Sequence, residues 1–413
     1  MTTKLLIFGA GNAAEKLIHC FLEETEIVAF IDNDHKKWNS YFADYCILSP
    51  QEGIHKNYDY IIIAVFAGYE QIERQLCRIG VEKNQIVIPF SFQHEYYSQW
   101  RKFLNIEELI YLEMEQKIEK LSAHIENLEY ELALKLKENV IQYPKILSWE
   151  EAVKEILQKK KSMSRFGDGE FDLMLGRRNS FQKVNEGLTK RLKEIVVSNL
   201  ENHIVAIPDA YGDFENRTEE FKDCFRKHFQ YGGRAKEYAM LDMKKEYYDA
   251  FITRPYKDFI DKTKAKEKFA IIKSLWEGRD ITIVEGRKTR MGVGNDLFAN
   301  TKSCIRILGP ETEAFEKYDQ ILKSVLNTDR NRLVLIAMGA TATVLAYDLA
   351  KLGYQALDIG HIDIEYEWFL CSAEEKIPIE GKYVNEAPGG RNVQEYIENE
   401  QYNREIIDII ELY

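Results

Sequence analysis

What this chain lacks narrows it first. No apolar run in its 413 residues approaches the length a bilayer demands, so any membrane contact is expected to be peripheral. The six cysteines, Cys20, Cys46, Cys77, Cys224, Cys304 and Cys371, are scattered. No pair has metal-ligand spacing, and nothing suggests a disulfide framework. A reducing cytoplasm is the expected location. Positive charge is in deficit: 56 Lys and Arg against 68 Asp and Glu leave a net −12. That balance argues against a nucleic-acid binder working by general phosphate attraction, while leaving room for a local basic loop that holds a phosphate. Repeats and low-complexity segments are missing. The opening Met-Thr-Thr-Lys runs straight into a strand pattern, so no signal peptide is expected.

What is present is enough for a substantial core, with 45% hydrophobic residues in a chain too long for one ordinary domain. The expected class is α/β: two Rossmann-like parallel-sheet domains joined by a long, coiled-coil-like helical linker. Residues 1–98 form the first domain. Lys4-Leu-Leu-Ile-Phe8 reads as a buried strand, followed by Gly9-Ala-Gly11-Asn-Ala-Ala14 and a helical stretch to Leu22. Further strands are Ile27–Ile31, Tyr60–Val65 and Gln85–Ile88. Gly-x-Gly-x-x-Ala between strand and helix, with Asp32 about 20 residues on, is the dinucleotide fingerprint in its structural context. Gly9, Gly11 and Asp32 are therefore candidates for a bound nucleotide. Asp32 either pairs with a ribose or simply ends a strand.

Residues 104–142 form the linker. Tyr111, Met114, Ile118, Leu121, Ile125, Leu128 and Leu132 recur in alternating steps of three and four, with charges between them and neither Gly nor Pro. That is a heptad seam. A helix packed on its own chain also uses such a stripe, but the narrowness favours a coiled coil, and with it a homodimer through residues 104–140.

Residues 145–413 form the larger domain, with strands expected at Met163–Phe166, Ile204–Ile207, Ile281–Val284, Ile305–Leu308, Leu333–Met338 and Ala356–Ile359. Ligands of such sheets bind beyond the carboxyl ends of the strands, so those ends hold the candidate site. The first gives Ser164-Arg-Phe-Gly-Asp-Gly-Glu170, whose Asp168 and Glu170 flank a glycine and can face a divalent cation; a solvated turn is the plainer alternative. The next gives Asp209 to Asp213. Then come Glu285-Gly-Arg-Lys-Thr-Arg-Met-Gly-Val-Gly-Asn-Asp296, where Arg287, Lys288 and Arg290 beside Gly292 and Gly294 suit a diphosphate. Asp296 either holds a ribose hydroxyl or caps a helix starting near Leu297. Gly339-Ala-Thr-Ala-Thr343 opens a helix, where Gly339 and Thr341 either admit an anion or allow tight packing. Last, His361, Asp363, Glu365 and Glu367 share one face if the segment stays extended, and supply a metal ligand and a general base.

Two resemblances add to this. The N-terminal part resembles small Rossmann-like domains found beside sugar-modifying enzymes of bacterial polysaccharide pathways, through Phe8-Gly-Ala-Gly11, Phe30-Ile-Asp-Asn-Asp34, Tyr60-Ile-Ile-Ile-Ala64 and Gln75-Leu-Cys-Arg-Ile-Gly80. From about Ser162 to Asn392 the chain resembles the GT-D family of bacterial glycosyltransferases. The segments that carry this are Ser164–Glu170, Phe251-Ile-Thr-Arg-Pro-Tyr256, Glu285–Phe298, Ala314-Phe-Glu-Lys-Tyr-Asp319, Gly339–Thr343 and Leu357–Trp368. The resemblance implies a metal-dependent transferase moving a sugar, commonly glucose, from a UDP-sugar to a glycan acceptor of surface polysaccharide or glycoprotein. It maps Mn²⁺ or Mg²⁺ onto Asp168 and Glu170, with Glu170 the direct ligand. Gly167, Arg290, Gly292, Gly294, Asn295 and Asp296 hold the donor, and His361 and Asp363 complete the site. With His361 as a further metal ligand, Asp363 is the expected base and Glu365 the runner-up.

Two rivals stand beside it. An NAD(P)-dependent sugar-nucleotide oxidoreductase or epimerase would act through the N-terminal domain, but residues 1 to 95 hold no Tyr-x-x-x-Lys relay. A non-enzymatic partner would dimerise through the helix and recruit another transferase.

Overall fold

The computed structural model describes residues 2–66, 68–91, 96–136, 141–178, 181–212, 214–394 and 397–412. Asp213 and residues 137–140 of the linker lie outside the described residues. The chain divides into two compact units, Met1–Leu121 with Asn385–Asn392, and Ser122–Val384 with Val393–Tyr413.

The first unit is built on a six-stranded sheet. Its strands are β1 (Thr3–Phe8), β2 (Thr25–Ile31), β3 (Tyr41–Phe42), β4 (Tyr45–Leu48), β5 (Tyr60–Ile63) and β6 (Ile86–Val87), in the order β3-β4-β2-β1-β5-β6. All neighbours are parallel except β3 and β4. Apolar runs buried on both sides form the inner strands: Leu5, Leu6 and Ile7 are fully buried, as are Ile61, Ile62 and Ile63. The segment Asn385–Asn392, expected in the larger domain, belongs here instead. The Asn392 amide donates to the Asn33 carbonyl at 2.6 Å and its oxygen lies 2.9 Å from His35 Nδ1.

The second unit holds a nine-stranded parallel sheet. Its strands are β7 (Lys145–Leu147), β8 (Ser162–Arg165), β9 (His203–Ile207), β10 (Glu246–Asp249), β11 (Asp280–Gly286), β12 (Ser303–Gly309), β13 (Leu333–Ala337), β14 (Ala356–Asp358) and β15 (Ile406–Ile409). The order is β15-β12-β11-β13-β14-β8-β9-β10-β7. The six strands expected from apolar runs are all present. β7, β10 and β15 are additions: three or four residues each, interrupted by Lys, Glu or Asp, they give no apolar run to see. Val284, Ile307, Val334 and Ile336 pack with the helices Tyr318–Leu326 and Ala340–Lys351 in one dry layer. Ten of the twelve residues of Ala340–Lys351 are buried, which accounts for its alanines.

The long helix runs from Ile106 to Lys135 and carries the expected seam. No helix is long and apolar enough, among the described residues, to cross a membrane. Two local expectations change. The segment after His361 is a helix, Ile362–Leu370, although Ile362, Ile364, Tyr366 and Trp368 alternate with acids as in a strand; the helix is buried on several sides, and donors from other segments engage Asp363 and Glu365. No helix begins at Leu297; residues 289–300 form successive turns.

Ile336 is fully buried in the central strand β13. Ile336→Ala is expected to destabilise the second unit by about 2–5 kcal/mol. Urea denaturation read by far-UV circular dichroism checks it.

Candidate active site

The chain passes outward from β11 to β12 and then returns across β11 to β13, so the order of connections reverses between β11 and β13. Such reversals open a crevice at the strands' carboxyl ends. β14 and β8 follow on the β13 side, and their exits carry the paired acids.

Arg165, the last residue of β8, holds these exits together. Its Nε donates to the Asp358 carbonyl at 2.9 Å and its Nη2 to the Asp358 carboxylate at 3.1 Å. Nη1 reaches the Thr253 hydroxyl at 2.6 Å, past the end of β10. The Thr343 hydroxyl donates to the Arg165 carbonyl at 2.9 Å, tying in the helix Ala340–Lys351. Gly360 leaves β14 with φ of +39°, and a Cβ there would stand 1.8 Å from Nη2 of Arg165. A side chain is opposed by both the backbone angle and the guanidinium.

Gly167 is the N-cap of the helix Asp168–Met174, and Glu170 turns back to accept the Gly167 N–H at 2.8 Å. Asp168 is exposed and Glu170 half-buried. Burial, and after it the charge of Asp358, push the Glu170 carboxyl up to about 7. Asp168 adds to this and Arg165 opposes it. Burial also raises the Asp358 carboxyl, against the pull of Arg165. A carboxylate raised by burial and by neighbouring acids, as Glu170 is, favours an added cation. Among the described residues, no three His, Cys, Asp or Glu side chains form a ready metal cluster. A hard ion held by one or two carboxylates takes its other oxygens from phosphate and water. Asp168 and Glu170 therefore suit an ion that arrives with a phosphate.

Gly339 precedes the helix Ala340–Lys351. Thr341, in its first turn, is 1% exposed, and its hydroxyl has no hydrogen-bond partner among the described residues. Phe181 lies 3.5 Å from where a Gly339 Cβ would be, and its ring is 6.3 Å from that of Tyr383. The Tyr383 N–H donates to the Lys288 carbonyl at 2.9 Å. These two half-buried aromatics flank the exit of β13.

Several side chains singled out in the sequence have structural work instead. Arg290 is 2% exposed and donates to the carbonyls of Gly381 and Gln394, at 2.8 and 2.5 Å, rather than facing a phosphate. Gly292 has φ of +73°, and a Cβ there would meet the Phe298 ring at 2.5 Å, so its need for glycine is internal packing; Gly294 lies on the same turn. The Asn295 amide donates to Asp363 and Glu367 at 2.8 and 2.7 Å. Asp296 accepts from Lys273 at 2.7 Å and the Tyr366 hydroxyl at 2.6 Å, and no helix follows at Leu297 for it to cap. Asp363, 2% exposed, accepts from the Gly292 N–H, the Asn295 amide and the Lys382 ammonium, at 2.8, 2.8 and 2.7 Å. Glu365 is fully buried and accepts the backbone N–H groups of Tyr256 and Lys257, at 3.2 and 2.9 Å. Both carboxylates are buried and engaged by donors of the chain itself. His361 does stand at the exit of β14, its ring 5.4 Å from Trp368.

Sequence reasoning passed over His228, on the helix Glu219–His228. Its Nε2 meets the Glu237 carboxylate, which also accepts the Tyr211 hydroxyl at 2.8 Å. Burial opposes its protonation, but Glu237, Asp168 and Asp172 outweigh that and hold its pKa above the ordinary value. No local motif marks it, because its partners come from separate elements.

In the first unit, Asp32 accepts the Ala10 N–H at 2.9 Å and the Lys37 ammonium at 2.8 Å. The acid that a ribose would need is engaged by its own loop.

Comparison with known proteins places the second unit among glycosyltransferases. Residues 163–387, over half the chain, match the glycosyltransferase GT-D fold model, and the chain belongs to that family. Residues 1–87 match the C2185-like N-terminal family. The probable glycosyl transferase Gly of Streptococcus gordonii is 37% identical over 63% of this chain, and glycosyltransferase GlyD of Streptococcus pneumoniae serotype 4 is 34% identical over 69%. The chain spans only 38% and 35% of those relatives' lengths. A solved structure of domain of unknown function 1792, described as a distinct glycosyltransferase fold, aligns with a TM-score of 0.61 at 37% identity, over 65% of this chain and 96% of its own. A new glycosyltransferase from Streptococcus sanguinis aligns equally well, at 36% identity.

Two outcomes are expected. Glu170 holds its proton to about 7 when folded, against 4.5 for the free group. Its contribution to stability is present below 4.5 and is lost as pH rises through 7. Glu170→Gln should therefore raise the thermal midpoint at pH 8, in the presence of a chelator, by more than at pH 5. Gly360→Ala should lower the thermal midpoint and detach Arg165 from Asp358. Scanning fluorimetry and a crystal structure of the variant check these.

Proposed function

We propose that the second unit transfers a hexose, by family resemblance glucose, from a UDP-sugar to a glycan acceptor of surface polysaccharide or glycoprotein, in the cytoplasm. The observation that carries this is the placement, at the carboxyl ends of β8 and β13 on either side of β14, of the Asp168–Glu170 acids and the buried Thr341 hydroxyl at a helix N-terminus. Thr343, one turn from Gly339, touches Arg165 of the same acid cluster.

In this reading the donor diphosphate lies over the N-terminus of Ala340–Lys351, where backbone N–H groups and Thr341 hold it. Lys288, whose present pairing with Glu311 is long at 3.6 Å, takes the phosphate role that Arg290 cannot. Phe181 and Tyr383 offer faces for the base. Asp168 and Glu170 would hold Mn²⁺ or Mg²⁺ against the diphosphate, with His361 at the neighbouring exit. The ion would offset the negative charge that grows on the leaving UDP. Asp209, exposed at the exit of β9, lies on the far side of β8 from the donor. It takes over from Asp363 and Glu365 as base for the acceptor hydroxyl. Two copies of the chain join through residues 104–140. Because Asp32 is engaged by its own loop, the N-terminal domain does not serve as a nicotinamide site in this account.

A panel of UDP- and GDP-sugars, assayed with and without Mn²⁺, tests the assignment. Turnover is expected with a UDP-hexose and metal, and Glu170→Ala should lower it by roughly 10²–10³-fold while leaving the fold intact. Full activity of that variant, or activity indifferent to metal, overturns the site.

A further inference from the structure

The helix Ile106–Lys135 buries one face on its own chain and leaves another bare. Leu109 and Glu113 are buried in the first unit, and Ala123, Asn127 and Ala133 in the second. Asn127 donates to the Arg226 carbonyl at 3.0 Å and accepts from Arg234 at 2.7 Å, while Glu131 takes Arg226 in a two-point ion pair. The heptad seam is not the face so used. Its first positions, Tyr111, Ile118, Ile125 and Leu132, and its fourth, Met114, Leu121 and Leu128, are 41–69% exposed. The alternative in which this stripe packs on its own chain is therefore excluded.

We propose that a second copy of this chain covers the seam as a parallel, in-register, two-stranded coiled coil. This deepens the homodimer reading above and rests on it. Three observations choose that occupant and geometry. Isoleucine at the central first positions (Ile118, Ile125) with leucine at the fourth (Leu121, Leu128) is the pattern that packs best in parallel pairs, since β-branched side chains fit the first layer and leucine the fourth. Charge agrees. In parallel register His124 faces Glu129 of the other copy and Lys117 faces Ser122, with no like pair. An antiparallel pairing sets Glu115 against Glu129 twice, and the Glu131 that it would bring to Lys117 is already taken by Arg226 of its own chain. Area agrees too: seven large side chains so exposed offer on the order of 700 Å² per helix, and two such faces together reach the roughly 1,200–2,000 Å² of a stable interface.

Light scattering on the full chain should give twice 48.4 kDa at tens of micromolar. The double variant Ile118→Asp, Ile125→Asp should give 48.4 kDa with a cooperative thermal transition retained, because both positions are exposed in the single chain, and its midpoint should fall only by what the dimer contributed. A monomeric or trimeric wild type, or a dimeric double variant, overturns the homodimer reading and this one together. Orientation is read separately. Met114→Cys and Leu128→Cys, each alone, should form a disulfide to the same position of the other copy under mild oxidation, located by peptide mass mapping. A dimer in which neither self-links, while a mixture of Met114→Cys and Leu132→Cys chains does, overturns the parallel register and leaves the homodimer standing.

Discussion

The second unit depends on one guanidinium. Arg165 crosses from β8 to β14 and to the end of β10, and three separately connected strands share it. A charge in this partly buried place needs partners, and Asp358 and the Thr253 hydroxyl supply them. Because Arg165 is fixed, the turn that follows it is fixed, and with it the direction in which Asp168 and Glu170 face. The raised pKa of Glu170 follows from the same arrangement. Asp358 adds its charge to the effect of burial, and Arg165, already shared, neutralises only part of it.

A second joint lies in the loop after β11. Glu285 accepts the Met291 N–H at 2.7 Å and pairs with Arg306 at 2.7 Å. Asp363 gathers Gly292, Asn295 and Lys382. Buried acids here replace the hydrogen bonds that an irregular loop cannot make to itself. The loop is thus rigid for internal reasons, and the cations on it divide. Arg290 points inward to backbone carbonyls, whereas Lys288, just past the end of β11, pairs with Glu311 at 3.6 Å while its carbonyl accepts from Tyr383.

The first unit and the long helix show a different balance. Asp32 closes its own glycine loop through Ala10 and Lys37, so a dinucleotide fingerprint serves here to hold strand and loop together. Beyond Leu109 the helix Ile106–Lys135 uses small and polar residues (Glu113, Ala123, Asn127, Ala133) for its intramolecular face and large apolar ones for the face that its own chain leaves open. That division is economical only if something else covers the apolar face.

The sequence by itself determined the class of both sheets, the positions of the main apolar strands, the long helix and its seam, and the motif that binds the chain to its family. Each rests on local periodicity or on residues adjacent in the chain, and such signals survive without knowledge of the fold. It also marked Asp168, Glu170, Gly339 and Thr341, because strand ends are legible. Only the tertiary structure decided which marked side chains face the crevice. Asp363 and Glu365 read as catalytic in an extended segment, but a helix turns them apart and backbone donors engage them. The surroundings of Arg290, His228, Phe181 and Tyr383 were not legible for the same reason: they are set by partners far away in the chain, and no local spacing encodes the direction in which a side chain will point.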